Sequence, residues 1–127
     1  AILVDRSSKT SRAKSYKLMN RMVRNGTNVV IFPEGKFNLT SDKLLLDFYD
    51  GAFRLALDTK TNIIPVIMLD SNKRWSNKSF FKMTPGKHRI IYLDPVCISK
   101  YGSGDLEKLK RDVYNIMQIE LKKYYKS

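Results

Sequence analysis

Short apolar runs alternate with segments of helical periodicity, and this alternation constrains the fold more than any other feature. Residues 2–4, 28–32 and 62–69 are apolar and rich in β-branched side chains, a composition typical of strands covered on both faces. Residues 11–25, and a segment that starts near Asp50, repeat their apolar side chains at helical spacing. Parallel strands joined by helical crossovers give this order. The sequence therefore predicts an α/β fold, with a mostly parallel central sheet flanked by helices.

The second half of the chain predicts one more strand and a long last helix. Residues 89–93 form the strand, and residues 105–125 form a helix with acids near its start and lysines near its end. We expect the apolar side of this helix to pack on the sheet, or else to offer a stripe to a membrane or a partner; it comprises Leu106, Leu109, Val113, Ile116, Met117 and Tyr124. We expect one domain over residues 1–127, in which residues 71–127 add peripheral strands and this helix to residues 1–70.

The charge of the chain favours an anionic partner. Its 24 Lys and Arg against 12 Asp and Glu leave a formal net charge of +12, which suits nucleic acid, a lipid surface or phosphorylated small molecules. Four of these cations recur at helical spacing opposite the apolar side of the first helix; this basic stripe consists of Lys14, Lys17, Arg21 and Arg24. The stripe predicts either a solvated face or contact with anionic lipid headgroups.

Two lone residues are assigned no catalytic role. Cys97 cannot form an internal disulfide, and its strand-like context predicts a buried free thiol in a reducing compartment. His88 lies beside a turn, and we expect it at the surface. The sequence also contains no run of about 18 uncharged apolar residues, the length that a spanning helix requires.

Polar residues follow two of the predicted strands at their carboxyl ends, where ligands of open α/β sheets bind. Arg6 follows residues 2–4, and its guanidinium suits a phosphate or a carboxylate. Glu34 follows residues 29–32 and can accept hydrogen bonds from a substrate hydroxyl or from the loop that shapes the site. The adjacent Gly35 permits a positive φ angle. We expect Arg6 and Glu34 to share one cleft.

Four motifs in this order resemble those of the glycerolipid acyltransferase family, which includes the lysophosphatidate (1-acylglycerol-3-phosphate) acyltransferases. They are Ile2-Leu3-Val4-Asp5-Arg6, Ile31-Phe32-Pro33-Glu34-Gly35, Gly51-Ala52-Phe53 and Ile64-Pro65-Val66, and they cover about residues 2–69. The resemblance implies a glycerol-3-phosphate acyltransferase-like fold. It also implies transfer of a fatty acyl group from acyl-CoA or acyl-carrier protein to the hydroxyl of a lysophospholipid, in phospholipid biosynthesis. The acyl thioester is then a co-substrate, and we expect no cofactor and no metal.

The resemblance also implies roles for individual residues. Arg6 matches the arginine that contacts the acceptor phosphate, and Glu34 and Gly35 match the acid and glycine of the acceptor site. Many members have Thr-Arg after this glycine and a lysine two residues before the Gly-Ala-Phe glycine, whereas this chain has Lys36-Phe37 and Tyr49. Lys36 or Arg54 would then have to contact an acceptor phosphate. The acceptor-binding candidates are Arg6, Glu34, Gly35, Lys36, Phe37, Gly51 and Arg54, with Pro33 and Pro65 in structural roles.

The His-x-x-x-x-Asp block that supplies this family's general base has no match in the chain. His88 and Asp94 have five residues between them instead of four, and six residues of strand span about 20 Å. We therefore expect an N-terminally truncated chain that binds but does not turn over, with the catalytic pair upstream. The resemblance further implies an anionic membrane surface as partner, at the cytoplasmic face, with peripheral attachment or anchoring by segments outside this chain.

Two alternatives remain at this stage. The charge of +12 and aromatic residues beside basic ones, as at Phe80-Phe81-Lys82, also fit a nucleic-acid-binding module. No helix-turn-helix, zinc or ribonucleoprotein motif supports that alternative, so nucleic acid is the less favoured partner. The other alternative is a non-catalytic relative that senses or carries lipids.

Overall fold

The computed structural model describes residues 7–36, 38, 42–70 and 85–125. Its elements are, in chain order, α1 (Lys9–Arg24), α2 (Gly51–Thr59), β1 (Val66–Leu69), β2 (Arg89–Tyr92), a 3-10 turn (Ile98–Lys100) and α3 (Leu106–Tyr124). The predicted strand at residues 2–4 lies outside the described residues, and so do Arg6 and Phe37. No helix in the described part of the chain combines the length and the apolar character needed to cross a bilayer.

Helix α1 is closed at both ends by local hydrogen bonds. The Ser8 hydroxyl accepts a hydrogen bond from the Ser11 backbone N–H at 3.2 Å, which satisfies one donor of the first turn. At the other end Gly26 adopts a φ of +85°, and the Thr27 N–H donates to the Met22 carbonyl at 2.9 Å. This arrangement is a Schellman motif, in which Gly26 ends the helix.

Helix α2 starts at Gly51, where the sequence predicts a start near Asp50. The Asp50 side chain makes no capping hydrogen bond to the helix. Instead its carboxylate accepts a hydrogen bond at 2.8 Å from the Lys110 ammonium group on α3. This ion pair joins α3 to the start of α2.

Within the described residues, the sheet consists of β1 and β2, which pair antiparallel. The sequence predicts one strand over residues 62–69, but the described strand covers only its second half, preceded by an isolated bridge between Ile63 and Val96. Pro65 interrupts the ladder because it has no N–H to donate, and its carbonyl accepts a hydrogen bond from Leu93 at 2.9 Å. Pro65 thus has the structural position that the sequence predicts.

The sequence predicts a strand at residues 28–32, and this prediction is corrected here, since the structure assigns no strand to these residues. Val30 is 79% exposed and Phe32 is 64% exposed, so this segment is not covered on both faces. A β-branched composition favours extended backbone, but a strand also needs a hydrogen-bonded neighbour. The predicted neighbour, residues 2–4, lies outside the described part of the chain. The strands that are described form no parallel pair.

One hydrophobic core joins α2, β1 and α3. Phe53, Leu69 and Leu109 are fully buried at its centre. The packing of α3 into this core confirms the expectation for its apolar side, but the buried face is rotated: Leu121 is buried, whereas Ile116 and Tyr124 are exposed. Residues spaced by four form the buried row, and it consists of Leu109, Val113, Met117 and Leu121.

Cys97 is a second correction. Its thiol is free, as predicted, but it is exposed instead of buried. The residue follows the bridge at Val96 and precedes the 3-10 turn, so the alternation of a strand no longer decides which side its side chain takes. His88 is exposed, which agrees with its predicted surface position.

Candidate functional site

The Pro-Glu-Gly segment forms a tight turn. The Gly35 N–H donates to the Phe32 carbonyl at 3.1 Å, which closes a four-residue β-turn. Gly35 has a φ of +68°, a conformation in which a side chain would be strained. Gly35 thus uses the positive φ that glycine permits.

Two hydrogen bonds attach this turn to the segment that leads into α2. The Glu34 carboxylate accepts a hydrogen bond from the Leu46 backbone N–H through Oε2 at 2.7 Å. The carbonyl of Pro33 accepts another from the Tyr49 N–H at 2.9 Å. Of the two roles that the sequence allows for Glu34, the structure therefore contains the one in which it orders the loop. The same contacts place the turn beside the start of α2.

The Glu34 carboxyl is half-buried, and its environment changes its acidity. Burial raises the pKa of Glu34 above its ordinary value, because the charged form loses water, and the hydrogen bond from Leu46 opposes this rise. Oε2 is occupied by the Leu46 N–H, and none of the described residues supplies a hydrogen bond to Oε1. The carboxylate can thus accept one more hydrogen bond from a ligand hydroxyl while it still holds the loop.

The other candidates divide between this turn and α1. Lys36 directly follows the turn and is exposed. Gly51 opens α2, and a side chain at its position would meet no atom of the described residues within 4 Å. Arg54 is exposed on the first turn of α2, and its charge acts on Tyr16 of α1. Because Arg6 and Phe37 lie outside the described residues, the shared cleft of Arg6 and Glu34 stays a prediction.

Helix α1 packs against α2 through a polar contact at Asp58. The Tyr16 hydroxyl donates to the Asp58 carboxylate, and Arg24 donates through Nη2 to the Asp58 carbonyl at 2.9 Å. Burial and the hydrogen bond to Asp58 raise the pKa of Tyr16 to about 12, and the nearby charge of Arg54 opposes the rise. These contacts hold α1 on the helix whose first residue borders the turn.

Comparison with known proteins decides the family. The family model described as "Acyltransferase" matches residues 1–69, more than half of the chain and the part that contains both the turn and α2. The chain belongs to this family. The resemblance on its sequence motifs is thereby confirmed.

Known acyltransferases extend the match beyond residue 69. The 1-acyl-sn-glycerol-3-phosphate acyltransferase beta of Homo sapiens is 31% identical over 111 residues, which is 87% of this chain and 39% of the human protein. The 1-acyl-sn-glycerol-3-phosphate acyltransferase of Cocos nucifera is 29% identical over 94 residues, or 73% of this chain and 30% of the plant protein. This acyltransferase-family chain thus spans well under half the length of these relatives.

A solved structure supports the fold. The crystal structure of the 1-acyl-sn-glycerophosphate (LPA) acyltransferase PlsC from Thermotoga maritima superposes with a TM-score of 0.72. The two sequences are 22% identical, and the match covers 87% of this chain and 44% of that one. The fold of the acyltransferase chain is therefore that of PlsC over the matched part.

Sequence reasoning missed one polar cluster of the acyltransferase chain, at the carboxyl end of β1. Asp70 is buried with a φ of +68°, and Arg89 donates to both of its carboxylate oxygens, at 2.9 and 3.2 Å. Arg89 also lies 5.7 Å from the centre of the Tyr124 ring. The hydrogen bond to Asp70 raises the pKa of Arg89. The sequence contained a signal for this cluster, because Asp70 follows an apolar run of residues, as Arg6 and Glu34 do.

Proposed function

We propose that the natural protein is an acyltransferase of phospholipid biosynthesis. It transfers a fatty acyl group from an acyl thioester, on coenzyme A or acyl-carrier protein, to the free hydroxyl of 1-acylglycerol-3-phosphate or a related lysophospholipid. The observation that carries this proposal is the match of the "Acyltransferase" family model to residues 1–69. The similarity to the human 1-acyl-sn-glycerol-3-phosphate acyltransferase beta supports the choice of acceptor.

The reaction converts a thioester into an ester. The acceptor hydroxyl oxygen bonds to the thioester carbonyl carbon, the carbon–sulfur bond breaks, and the hydroxyl proton passes to the departing thiolate. A general base removes that proton as the oxygen attacks. In this proposal the base belongs to the His-x-x-x-x-Asp block implied by the resemblance, and this chain does not contain that block.

In this proposal, Glu34 binds the acceptor substrate. Its Oε2 is committed to the Leu46 N–H, which fixes the carboxylate in place. Its Oε1 accepts a hydrogen bond from a hydroxyl of the glycerol acceptor. Arg6, Lys36 and Phe37, together with Gly51 and Arg54, complete the acceptor site, with a cation on the phosphate.

The finer features of the fold and its location form part of the same proposal. We propose a mostly parallel central sheet in the natural protein, and we propose that the enzyme works at the cytoplasmic face of a membrane. The match to the PlsC fold supports the sheet, and the net charge of +12 supports an anionic surface as partner.

Substitution of Glu34 tests the site in the natural full-length protein, with steady-state kinetics of acyl transfer to 1-acylglycerol-3-phosphate. We expect Glu34→Ala to raise the acceptor KM at least about tenfold, since a hydrogen bond to a charged group contributes roughly 1.5–3 kcal/mol. Glu34→Gln keeps an oxygen for the Leu46 N–H and should give a smaller increase. Asp47→Ala, an exposed acid next to Leu46, is the matched control and should leave KM unchanged.

The outcomes separate the roles. If Glu34→Ala has wild-type kinetics, Glu34 only shapes the turn and does not bind the acceptor. Arg6→Ala in the same assay should also raise the acceptor KM, and an unchanged value would remove Arg6 from the site. If the wild-type protein transfers no acyl group to any lysophospholipid, the proposed activity itself is wrong.

A further inference from the structure

Helix α1 has an unusual charge composition for a surface helix. Its 16 residues include six Lys and Arg and no Asp or Glu. Within the basic stripe, neighbouring cations stand three or four residues apart, the spacings at which like charges on a helix repel each other. Lys9 and Arg12 also lie in its first turns, where the helix dipole favours acids. The helix therefore gains from an external anion.

The basic stripe lies on the side of α1 that faces away from its buried residues. At 100° per residue, Lys14, Lys17, Arg21 and Arg24 fall within an arc of about 80°, and over ten residues they form a row about 15 Å long. Ser15, the buried residue of the helix, lies about 140° from the centre of that arc. All four cations of the basic stripe are exposed.

The described part of the chain does not neutralise most of the basic stripe. Arg24, at its edge, donates to Asn20 and to the Asp58 carbonyl. Within the described residues, the side chains of Lys14, Lys17 and Arg21 have no hydrogen-bond or ion-pair partner. On α3, in contrast, two of the five cations are paired with acids of the chain, Lys110 with Asp50 and Lys123 with Glu120.

We propose that the basic stripe is a docking surface for a bilayer that contains anionic phospholipids. A straight row of exposed cations on a helix matches a plane of negative headgroups, and each Lys or Arg near such a surface strengthens binding. Leu18, 43% exposed, lies at the border of the stripe and can enter the interface. The choice of a bilayer over nucleic acid rests on the proposed function, whose acceptor is a lipid.

Docking through α1 also orients the candidate site. Tyr16 and Arg24 fix α1 to Asp58 near the end of α2, and the Glu34 turn borders the start of α2. A bilayer bound along the basic stripe would therefore hold α2 and the turn at a constant position relative to the headgroups. An acceptor that diffuses within the leaflet then reaches the turn without leaving the membrane surface.

Flotation with lipid vesicles tests the proposal in the natural full-length protein. The stripe variant carries Lys14→Gln, Lys17→Gln and Arg21→Gln. The control carries Lys100→Gln, Arg111→Gln and Lys122→Gln, three exposed cations elsewhere, so both variants lose the same three charges. At low salt, we expect the stripe variant to bind phosphatidylcholine vesicles with about a third phosphatidylglycerol roughly 100-fold more weakly than wild type. The control should bind within about fivefold of wild type.

Several outcomes would overturn the proposal. Equal losses in both variants would mean that total charge, and not the basic stripe, drives binding. If the wild type binds pure phosphatidylcholine vesicles as tightly as vesicles that contain phosphatidylglycerol, binding does not require anionic lipid. A stripe variant that floats like wild type but loses affinity for a single-stranded oligonucleotide would assign the surface to nucleic acid.

Activity measurements keep this proposal separate from the proposed function. With a short-chain lysophospholipid dissolved as a monomer, the stripe variant should retain wild-type acyl transfer, whereas with acceptor in anionic vesicles its rate should fall. If the wild type is inactive with both acceptors, the proposed function fails, and flotation still decides the role of the basic stripe. An equal fall in rate with the dissolved acceptor would assign the cations to the site and overturn docking.

Discussion

The Glu34 carboxylate both holds the loop through a hydrogen bond and has a raised pKa. Its Oε2 holds the Leu46 N–H, 12 residues further along the chain. Removing the side chain therefore affects both the loop and any ligand bound to the carboxylate. A substitution that keeps the hydrogen bond but removes the charge separates these effects.

The raised pKa of Glu34 gives a prediction for stability against pH. The folded state binds the Glu34 proton more tightly than the unfolded state does, for which the ordinary value is 4.5. Wild-type protein should therefore lose this part of its stability as pH rises from below 4.5 through the higher folded pKa. In Glu34→Gln that dependence is absent. Thermal melts from about pH 4 to about pH 7 should show the melting temperature of wild type falling relative to Glu34→Gln.

The comparison between the two melting curves has a clear contrary result. A difference in melting temperature that stays constant over this pH range would mean that folding does not change the acidity of Glu34. The Asp47→Ala variant, measured in parallel, controls for loss of a nearby exposed carboxylate.

At the scale of single elements, α2 ends in a conformation that its sequence does not suit. Lys60 adopts a φ of +52° and a ψ of +41°, the left-handed region, and the Thr61 N–H donates to the Ala56 carbonyl at 3.0 Å. Glycine is the usual residue at this point of a helix end. The left-handed conformation costs a residue with a side chain roughly 1–2 kcal/mol.

We expect Lys60→Gly to stabilise the protein by about 0.5–1 kcal/mol, which is smaller than the strain relieved because glycine also gains freedom in the unfolded state. Urea denaturation monitored by circular dichroism measures this change as a shift of the midpoint. Lys60→Ala is the control, since alanine removes the charge and keeps the backbone strain. If Lys60→Ala stabilises as much as Lys60→Gly, the charge of Lys60 and not its φ is the cause.

The elements show which features the sequence can predict. Helices α1 and α3 were predicted within two residues at each end, because periodicity and end signals are local. The predicted strand at residues 28–32 is not confirmed, and Cys97 is exposed although the sequence predicts a buried thiol. Both predictions depend on neighbours that the local sequence does not specify. Asp50 was predicted at the start of α2, but its side chain is bound to Lys110, 60 residues away.

The candidate site was predictable to a similar extent. The positive φ of Gly35 follows from the turn motif itself. The bond from Leu46 to Glu34 could not be predicted from the motif, because it depends on how the chain returns past the turn. The same holds for the ion pair between Asp70 and Arg89, because the apolar run before Asp70 does not identify its partner 19 residues further along the chain.

At the scale of the whole molecule, stability depends on one core to which α2, β1 and α3 all contribute. Leu109 on α3 is fully buried in it. We expect Leu109→Ala to lower the free energy of unfolding by about 2–5 kcal/mol, through lost burial and the cavity that remains. Ile119→Ala, on the same helix but 61% exposed, should change it by about 0.5 kcal/mol or less. Similar losses in both variants would mean that helix propensity, and not burial, sets the effect.

The hydrophobic core extends beyond the part of the chain that the family model matches. The family model ends at residue 69, yet the side chains of Phe53 and Leu69 share their cluster with Leu109 and Val113 of α3. A fragment that ends at residue 69 would leave Phe53 and Leu69 without the side chains of α3 that cover them. We therefore expect a chain shortened to residues 1–69 to be less stable, because it would lack α3, although α3 carries none of the four motifs.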